Sequence, residues 1–186
     1  MTPAFRLPAI ALVLAALGGC MAAYEVPQEP PLTRSLTAAG AQVDPAAAAS
    51  LFNDYRRANG LGPLSVDPVL QRVALAHARE MAGRQKVGHD VGSGQLDVRV
   101  GRAGYAYARV AENVAAGYHS LAEAFSGWRD SRDHNRNMLN PDVTQMGIAI
   151  AQAPGSKYKV YWAMVVARPD TGERRGGPPL LPAVRR

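Results

Sequence analysis

The order of secondary-structure signals along this chain is the feature that most constrains its fold. Helical patterns come first, and two strand-like segments come last, at residues 147–151 and 157–167. Both segments are rich in branched and aromatic residues and flank the turn Pro154-Gly155-Ser156, so they predict an antiparallel β-hairpin. Residues 110–115 are a candidate further strand. Helices followed by strands indicate an α+β domain in which helices cover a small sheet.

Capping signals set the bounds of the predicted helices. Asp44-Pro45 and Asp67-Pro68 each join a capping residue to a proline at the first helical position. The first helix is predicted to end at Asn59-Gly60 and the second near Gly83. Ser120-Leu-Ala-Glu123 is a capping box, which predicts the start of a third helix.

Two further segments have weaker signals. Residues 88–104 contain several glycines and show no firm period, which predicts an ordered loop with a short turn of helix. After His134, a short helix is predicted to end at Asn140-Pro141. No internal repeat is present in the sequence.

The N-terminus has the pattern of a lipoprotein export signal. Arg6 precedes an apolar run over residues 7–17, which is too short to span a bilayer permanently. The run leads into Leu17-Gly18-Gly19-Cys20, which resembles a bacterial lipobox, in which the cysteine is acylated. The alternative is an ordinary cleaved signal with an incidental cysteine. We expect residues 1–19 to be a lipoprotein signal peptide and the exported protein to be anchored to a membrane by lipid on Cys20.

The residue after the cysteine bears on which membrane is used. It is Met21 rather than aspartate, and the resemblance to lipoproteins then implies the outer membrane if the cell has one. Residues 20–43 predict a flexible tether, and residues 169–186 predict a disordered basic tail. The domain is assigned to residues 44–168.

Cysteine content and charge limit the sources of stability and the partners. Cys20 is the only cysteine, so the domain has no disulfide and depends on packing. The formal net charge of +6 favours anionic partners such as lipid headgroups or acidic envelope polymers. The basic residues are scattered along the chain rather than striped, which argues against nucleic acid as a partner.

Two of the four histidines are not explained by packing. His89 lies in a glycine-flanked loop and His134 in a polar run, whereas His77 falls on the apolar face of the second helix and His119 precedes a capping serine. Glu112 stands between apolar residues, where a carboxylate is seldom buried without a partner. We therefore expect a hydrogen-bond donor or a cation close to Glu112.

Six motifs occur in an order that resembles the CAP superfamily, which includes cysteine-rich secretory proteins, antigen 5 and pathogenesis-related 1 proteins. The motifs are Asn-Gly-Leu at 59–61, Asp-Pro-x-Leu-x-x-x-Ala-x-x-His-Ala-x-x-Met at 67–81, His89, Ala-Glu-Asn-Val at 111–114, Trp128 with His-x-x-Asn-Met-Leu at 134–139, and Met-Gly-Ile-Ala at 146–149. The resemblance covers about residues 47–167. It implies an α-β-α sandwich, a small antiparallel sheet with helices on both faces.

The resemblance also implies a cleft that holds two histidines and two acids. His89, Glu112 and His134 match three of these positions, and the second acid falls on Ser131, which leaves a triad. The other departures from the family pattern are Ala111 for glycine, Arg132-Asp133 for Pro-Gly, and Asn135 for arginine. Asp130 or Asp133 could supply an acid instead, although solvated helix-surface acids are the simpler interpretation.

Three kinds of chemistry suit this triad. The two imidazoles and the carboxylate could bind zinc, with water completing the coordination. Without metal they could act as a general acid and base. They could also satisfy one another as a polar cluster.

The missing acid favours a binding module over an enzyme. The sole cysteine is at the predicted anchor and no serine has a nucleophile-elbow context, so no strong nucleophile is evident. We expect an envelope-anchored extracytoplasmic CAP-domain lipoprotein that binds a lipid or cell-envelope ligand, with a candidate divalent-metal site. The alternative is a metal-dependent hydrolase of envelope peptide or glycan, with His89 and His134 as metal ligands and Glu112 as base.

Overall fold

The computed structural model of the chain describes residues 30–172. The predicted signal peptide, Cys20 and nearly all of the predicted basic tail lie outside these residues. Within them, no helix is both long enough and apolar enough to cross a membrane.

Five helices and four strands make up the described residues. The helices are α1 Pro45–Ala58, α2 Pro68–Arg84, α3 Leu96–Arg102, α4 Leu121–Asp130 and α5 Arg132–Met138. The strands are β1 Ser65–Val66, β2 Tyr107–Ala116, β3 Gln145–Ala153 and β4 Lys159–Pro169. The predicted short helical turn within residues 88–104 is α3, and the candidate strand over 110–115 is the middle of β2.

The predicted caps form. The Oδ1 atoms of Asp44 and Asp67 each accept hydrogen bonds from two backbone N–H groups in the first turns of α1 and α2. Ser120 Oγ accepts from the backbone N–H of Glu123, and the Glu123 carboxylate accepts in return from the backbone N–H of His119. Orphan amides at all three helix starts are thus satisfied by the residues whose sequence pattern predicts them.

The fifth helix starts just before His134, in the polar segment where the sequence predicts a helix start. Ser131 has extended backbone angles and serves as its N-cap residue, so α5 starts at Arg132, and it ends at Met138, before the predicted end at Asn140-Pro141. His134 therefore lies in the first turn of the helix, and its ring projects from a regular element.

The sheet has the strand order β1-β3-β4-β2. The central strand β4 pairs antiparallel with both β3 and β2, which confirms the predicted hairpin. The two-residue strand β1 pairs parallel with the start of β3, through Ser65 and Val66. The sheet is therefore mixed at one edge, a feature that no sequence signal predicted because two residues have no measurable period.

Helices cover both faces of the sheet, as the resemblance implied. Side chains alternate along β4, so Trp162 and Met164 pack against α1, α4 and α5, whereas Tyr161 and Val165 pack against α2 and α3. All four side chains are fully buried. The predicted α+β sandwich is confirmed, and β4 is its buried spine.

The N-terminal part of the described chain packs on the domain. Leu36 is 1% exposed, its backbone N–H donates to the His119 carbonyl, and Gln152 donates to the Leu36 and Ala41 carbonyls. The prediction of a flexible tether over residues 20–43 is therefore corrected for residues 32–43, which belong to the packed body. The sequence did not predict this packing, because a segment without helix or strand has no hydrophobic periodicity.

Gly147 allows α2 to lie close against β3. A Cβ atom at this position would overlap the backbone of Leu70 and Gln71. The Gln71 side chain also bonds the N–H and C=O of Ile148, as a neighbouring strand would. The glycine of the Met-Gly-Ile-Ala motif thus sets the distance between a helix and the sheet.

Candidate functional site

A cleft of about 820 Å³ lies at the free edge of β2. Because β2 is an edge strand, side chains from both layers of the sandwich meet there. The cleft brings together all four predicted site positions of the domain. Its lining includes His89, Glu112, His134, Ser131, Asp90, Leu96, Asp97, Val110, Ala111, Asp133, Arg136 and Asn137.

Glu112 occupies the buried end of the cleft, and Arg99 is its principal partner. Arg99 Nη1 donates to Oε1 at 2.9 Å and Nη2 donates to Oε2 at 3.0 Å, so the pairing is bidentate. Both side chains are almost completely buried, at 4% and 1% exposure. This is the compensating cation that the position of Glu112 requires.

Arg99 also holds the loop that carries His89. Its Nη2 donates to the His89 carbonyl and its Nε donates to the Gly94 carbonyl, each at 2.9 Å. Arg99 comes from α3, so one buried guanidinium fixes this helix, the loop and the carboxylate relative to one another. Sequence reasoning missed Arg99.

His89 contacts the second oxygen of Glu112. Its Nδ1 lies 3.0 Å from Glu112 Oε2. An ionised carboxylate only accepts hydrogen bonds, so Nδ1 carries the proton and donates it. This tautomer leaves Nε2 without a proton in the neutral ring, and the side chain is 61% exposed. Glu112 therefore orients His89 so that Nε2 is available to a ligand.

The electrostatics of the two groups agree with this geometry. Burial alone would raise the pKa of Glu112, but hydrogen bonds from His89 and Arg99 together lower it below its ordinary value. The hydrogen bond to Glu112 raises the pKa of His89, against the opposing effects of partial burial and the Arg99 charge. Glu112 is thus anionic at neutral pH, and His89 holds a proton more readily than a free histidine.

His134 faces the same cleft from the other layer. The pKa of His134 is lowered mainly by partial burial, and the nearby charge of His89 lowers it further. Ser131 lines the cleft and makes no side-chain capping bond to α5. Of the two alternative acids, Asp133 lines the cleft and Asp130 does not, and each forms an ion pair with an arginine at the surface.

A pair of asparagines fixes α5 on β2 and so positions His134. Asn113 donates to the His134 carbonyl at 3.1 Å. Asn137 donates to the Glu112 carbonyl at 3.1 Å and to Asn113 Oδ1 at 2.9 Å. The asparagine of the Ala-Glu-Asn-Val motif therefore acts between the strand that carries Glu112 and the helix that carries His134.

His77 lies beneath the cleft and is completely buried. Its Nε2 donates to the Gly88 carbonyl at 2.9 Å, and its Nδ1 has no hydrogen-bond partner within the described residues. Burial lowers the pKa of His77, so the ring is neutral. The interpretation as a core histidine with one satisfied nitrogen is confirmed.

The donor groups offer two imidazoles to a metal ion rather than three ligands. Across residues 30–172, no group of three or more His, Cys, Asp or Glu side chains is arranged to hold a metal. Glu112 stands behind His89 and uses both of its oxygens on Arg99 and His89. Its position fits a carboxylate that orients a ligating histidine, not a direct ligand.

Comparison with known proteins decides the family. The sequence model of the CAP family, described as the cysteine-rich secretory protein family, matches residues 49–166. The chain belongs to the CAP family. The matched residues contain the whole sheet except its last residues, and they contain every side chain of the cleft.

Several relatives of this CAP domain are bacterial. It is 29% identical to the Bacillus subtilis protein YkwD over 104 residues. This aligned region covers 55% of this chain and 40% of YkwD. An extracellular SCP-domain protein from Bacillus anthracis is 26% identical with a TM-score of 0.59, covering 67% of this chain and 40% of that one. An outer surface protein from Borrelia burgdorferi is 17% identical with a TM-score of 0.61, covering 67% and 92%. The chain spans less than half the length of YkwD and of the Bacillus anthracis protein.

Proposed function

We propose that this CAP domain is an extracytoplasmic binding module whose cleft holds a small amphipathic ligand, a lipid or a fragment of a cell-envelope polymer, without reacting with it. The observation that carries the proposal is the full engagement of Glu112 by Arg99 and His89. The Bacillus anthracis relative is described as extracellular, which supports the location.

The engagement of Glu112 argues against a hydrolytic role. A general base needs an oxygen within hydrogen-bond reach of the proton that it takes, and a pKa near the working pH. Glu112 has both oxygens occupied at 2.9–3.0 Å, and its pKa lies below the ordinary value. The contacts of Glu112 therefore favour ligand binding over metal-dependent hydrolysis.

The cleft lining favours an amphipathic ligand. Val110, Ala111 and Leu96 supply an apolar wall, while His89 and His134 supply polar contacts. A protonated His89 donates from Nε2 and suits an anionic or carbonyl oxygen, and the neutral His134 ring can donate or accept. A volume of about 820 Å³ lies within the range of small-molecule sites.

The test is a chemical-shift titration of the purified full chain carrying Cys20→Ser. The probes are monomeric short-chain phosphatidylglycerol and a soluble disaccharide-peptide fragment of peptidoglycan. We expect one probe to shift cleft resonances saturably, and His89→Ala and His134→Ala each to weaken binding about tenfold, the equivalent of one charge-assisted hydrogen bond. His119→Ala replaces an exposed histidine outside the cleft and is the matched control. If neither probe perturbs the cleft, the proposed ligand class is wrong.

A divalent cation is a second candidate ligand of the same two histidines. His89 and His134 would be its protein ligands, Glu112 would orient His89, and water would complete the coordination. Binding requires deprotonated imidazoles, so affinity should fall as the pH drops below the raised pKa of His89. Zinc titration by calorimetry, with His119→Ala as control, measures this. Equal zinc affinity in His89→Ala and the unmodified chain would overturn it.

We also propose that a lipid on Cys20 anchors the protein to the cell envelope. The expectation comes from the sequence around Cys20, which lies outside the described residues. Cells that express Cys20→Ser should release the protein into the soluble fraction after a wash in about 1 M salt, because such salt screens electrostatic attraction to about 3 Å. Salt-resistant membrane association of the variant would show that another feature holds the protein.

A further inference from the structure

Exposed cations without a carboxylate partner are concentrated on and beside α2. Arg72 and Arg79 on α2, Arg84 and Lys86 at its end, and Arg102 on α3 are exposed. Among the described residues, none of these five forms an ion pair within 4 Å. We call these five residues the α2 face.

Most cations elsewhere on the surface of the domain have a carboxylate partner. Six other arginines each lie within 4 Å of a carboxylate. They are Arg57, Arg109, Arg129, Arg132, Arg136 and Arg168. Arg34, Lys157 and Lys159 also lack a carboxylate partner, but they lie in loops or at the β-hairpin turn rather than on a helix face. Among the described residues, the exposed arginines on helices that lack a carboxylate partner therefore all lie on α2 and α3.

The shape of the α2 face lets an anion approach closely. Arg72 and Arg79 are seven residues apart, about two helical turns, and the small exposed residue Ala76 lies between them. A hollow of about 250 Å³ separates Arg72 from Arg102, and Ala76, Val73 and Ala103 form part of its wall. Arg102 is held at this hollow by a 3.2 Å hydrogen bond to the Ser93 carbonyl. Arg72 and Arg102 thus both line this recess.

An acidic group that could neutralise the face is absent from the exposed side of α2. The only acid within the helix is Glu80, whose carboxylate accepts from the backbone N–H and the hydroxyl of Ser93, both at 3.0 Å. These bonds turn Glu80 toward the loop before α3. Val87, which follows Lys86, is 36% exposed and adds an apolar residue at the end of the face.

We propose that the α2 face docks on an anionic phospholipid bilayer, with lipid phosphates between its arginines. Charge complementarity carries this proposal, since clustered basic residues are attracted to anionic headgroups. No α2 residue lines the cleft, so a docked domain keeps the cleft open to ligand. The choice of a bilayer over a soluble polyanion rests on the proposed anchor at Cys20, which would hold the domain at a membrane surface.

The experiment measures partition of the full chain with Cys20→Ser onto two kinds of vesicle. One is phosphatidylcholine alone, and the other contains equal amounts of phosphatidylcholine and phosphatidylglycerol. The ratio of the two partition coefficients cancels any charge-independent binding by the apolar N-terminal run. We expect the triple variant Arg72→Gln, Arg79→Gln, Arg102→Gln to lower this ratio roughly a hundredfold, because each basic residue near an anionic bilayer contributes about fivefold.

A second triple variant provides a control with the same change of charge. Arg57→Gln, Arg129→Gln, Arg132→Gln removes three exposed arginines that have carboxylate partners. It should leave the ratio within about threefold of the unmodified value, since net charge alone contributes little beyond the screening length. Equal losses in the two triple variants would overturn the proposal, and so would equal binding of the unmodified chain to both vesicles.

The same measurements separate a bilayer from a soluble polyanion. Binding of polyphosphate through the α2 face, without preference for the anionic vesicles, would assign the face to a soluble polymer and overturn the membrane proposal. Repeating the cleft titration on the α2-face variant keeps the two proposals distinct. Unchanged cleft binding in a variant that has lost vesicle binding shows that the surfaces act separately.

Discussion

The contact between Arg99 and Glu112 leads to a quantitative prediction about the stability of the cleft. Arg99→Met keeps the length of the aliphatic stem and removes the guanidinium. The variant loses two hydrogen bonds to Glu112 and one each to the His89 and Gly94 carbonyls. Because both partners are at most 4% exposed, Glu112 is left as a buried charge whose carboxylate keeps one hydrogen-bond donor, His89.

The magnitude follows from the cost of removing one member of a buried ion pair. We expect Arg99→Met to lower the free energy of unfolding by about 3–5 kcal/mol. Glu112→Gln should cost about 1–3 kcal/mol, since it leaves Arg99 charged beside a neutral amide. The double variant leaves neither side chain as an unpaired charge. Its loss of unfolding free energy should therefore be smaller than the sum of the two single losses by about 1–3 kcal/mol.

Urea denaturation followed by tryptophan fluorescence measures these differences, since Trp128 and Trp162 are both buried in the core. Arg102→Met is the control, because Arg102 lies on the same helix and is exposed, and it should change stability by less than about 0.5 kcal/mol. Additive losses in the double variant, or an Arg99→Met loss no larger than that of the control, would refute the reasoning.

Three further predictions concern packing and pH. Gly147→Ala should lower the free energy of unfolding by about 3 kcal/mol or more, because its Cβ would overlap the backbone of α2; a melting temperature equal to that of the unmodified chain would contradict this. Arg56→Met should cost about 3 kcal/mol or more in urea denaturation, because the 1%-exposed Arg56 donates to four backbone carbonyls that would lose their partner. Burial lowers the pKa of His77, so the unfolded state takes up its proton first and stability falls as the pH drops below 6.5. His77→Phe removes this proton uptake, and urea denaturation at a series of pH values should show a smaller loss of stability than in the unmodified chain; parallel curves would exclude His77 as the cause.

Local signals predicted most of the fold because they act over a few residues. Asp44 and Asp67 accept hydrogen bonds from backbone N–H groups two and three residues later, so the neighbouring residues are enough to predict their capping role. The hairpin was predictable for the same reason, since its two strands are joined by a short turn. Strand β1 was not, because its two residues form a strand only through their pairing with β3.

The sequence predicted which residues form the site, apart from Arg99, but not the hydrogen bonds between them. The burial of Glu112 required a donor or cation nearby, and the family resemblance supplied His89 and His134. Arg99 lies on helix α3, thirteen residues before Glu112 on strand β2, and only the packing of α3 against β2 brings the two side chains together. A signal was present in the spacing of Leu96, Arg99 and Val100, which places an arginine on the inward side of a short helix. Because Arg99 holds Glu112, the carboxylate orients His89 and does not form a free acid-base pair with it.

The central claim is that Glu112 positions His89 for binding instead of acting as a base. Nitrogen NMR of the histidine rings, followed over a pH titration of the unmodified chain and of Glu112→Gln, tests it most directly. We predict that His89 carries its proton on Nδ1 when neutral, titrates above 6.5, and shifts to a lower pKa in Glu112→Gln, while His134 titrates below 6.5. A His89 pKa that is below 6.5, or that Glu112→Gln leaves unchanged, would contradict the account.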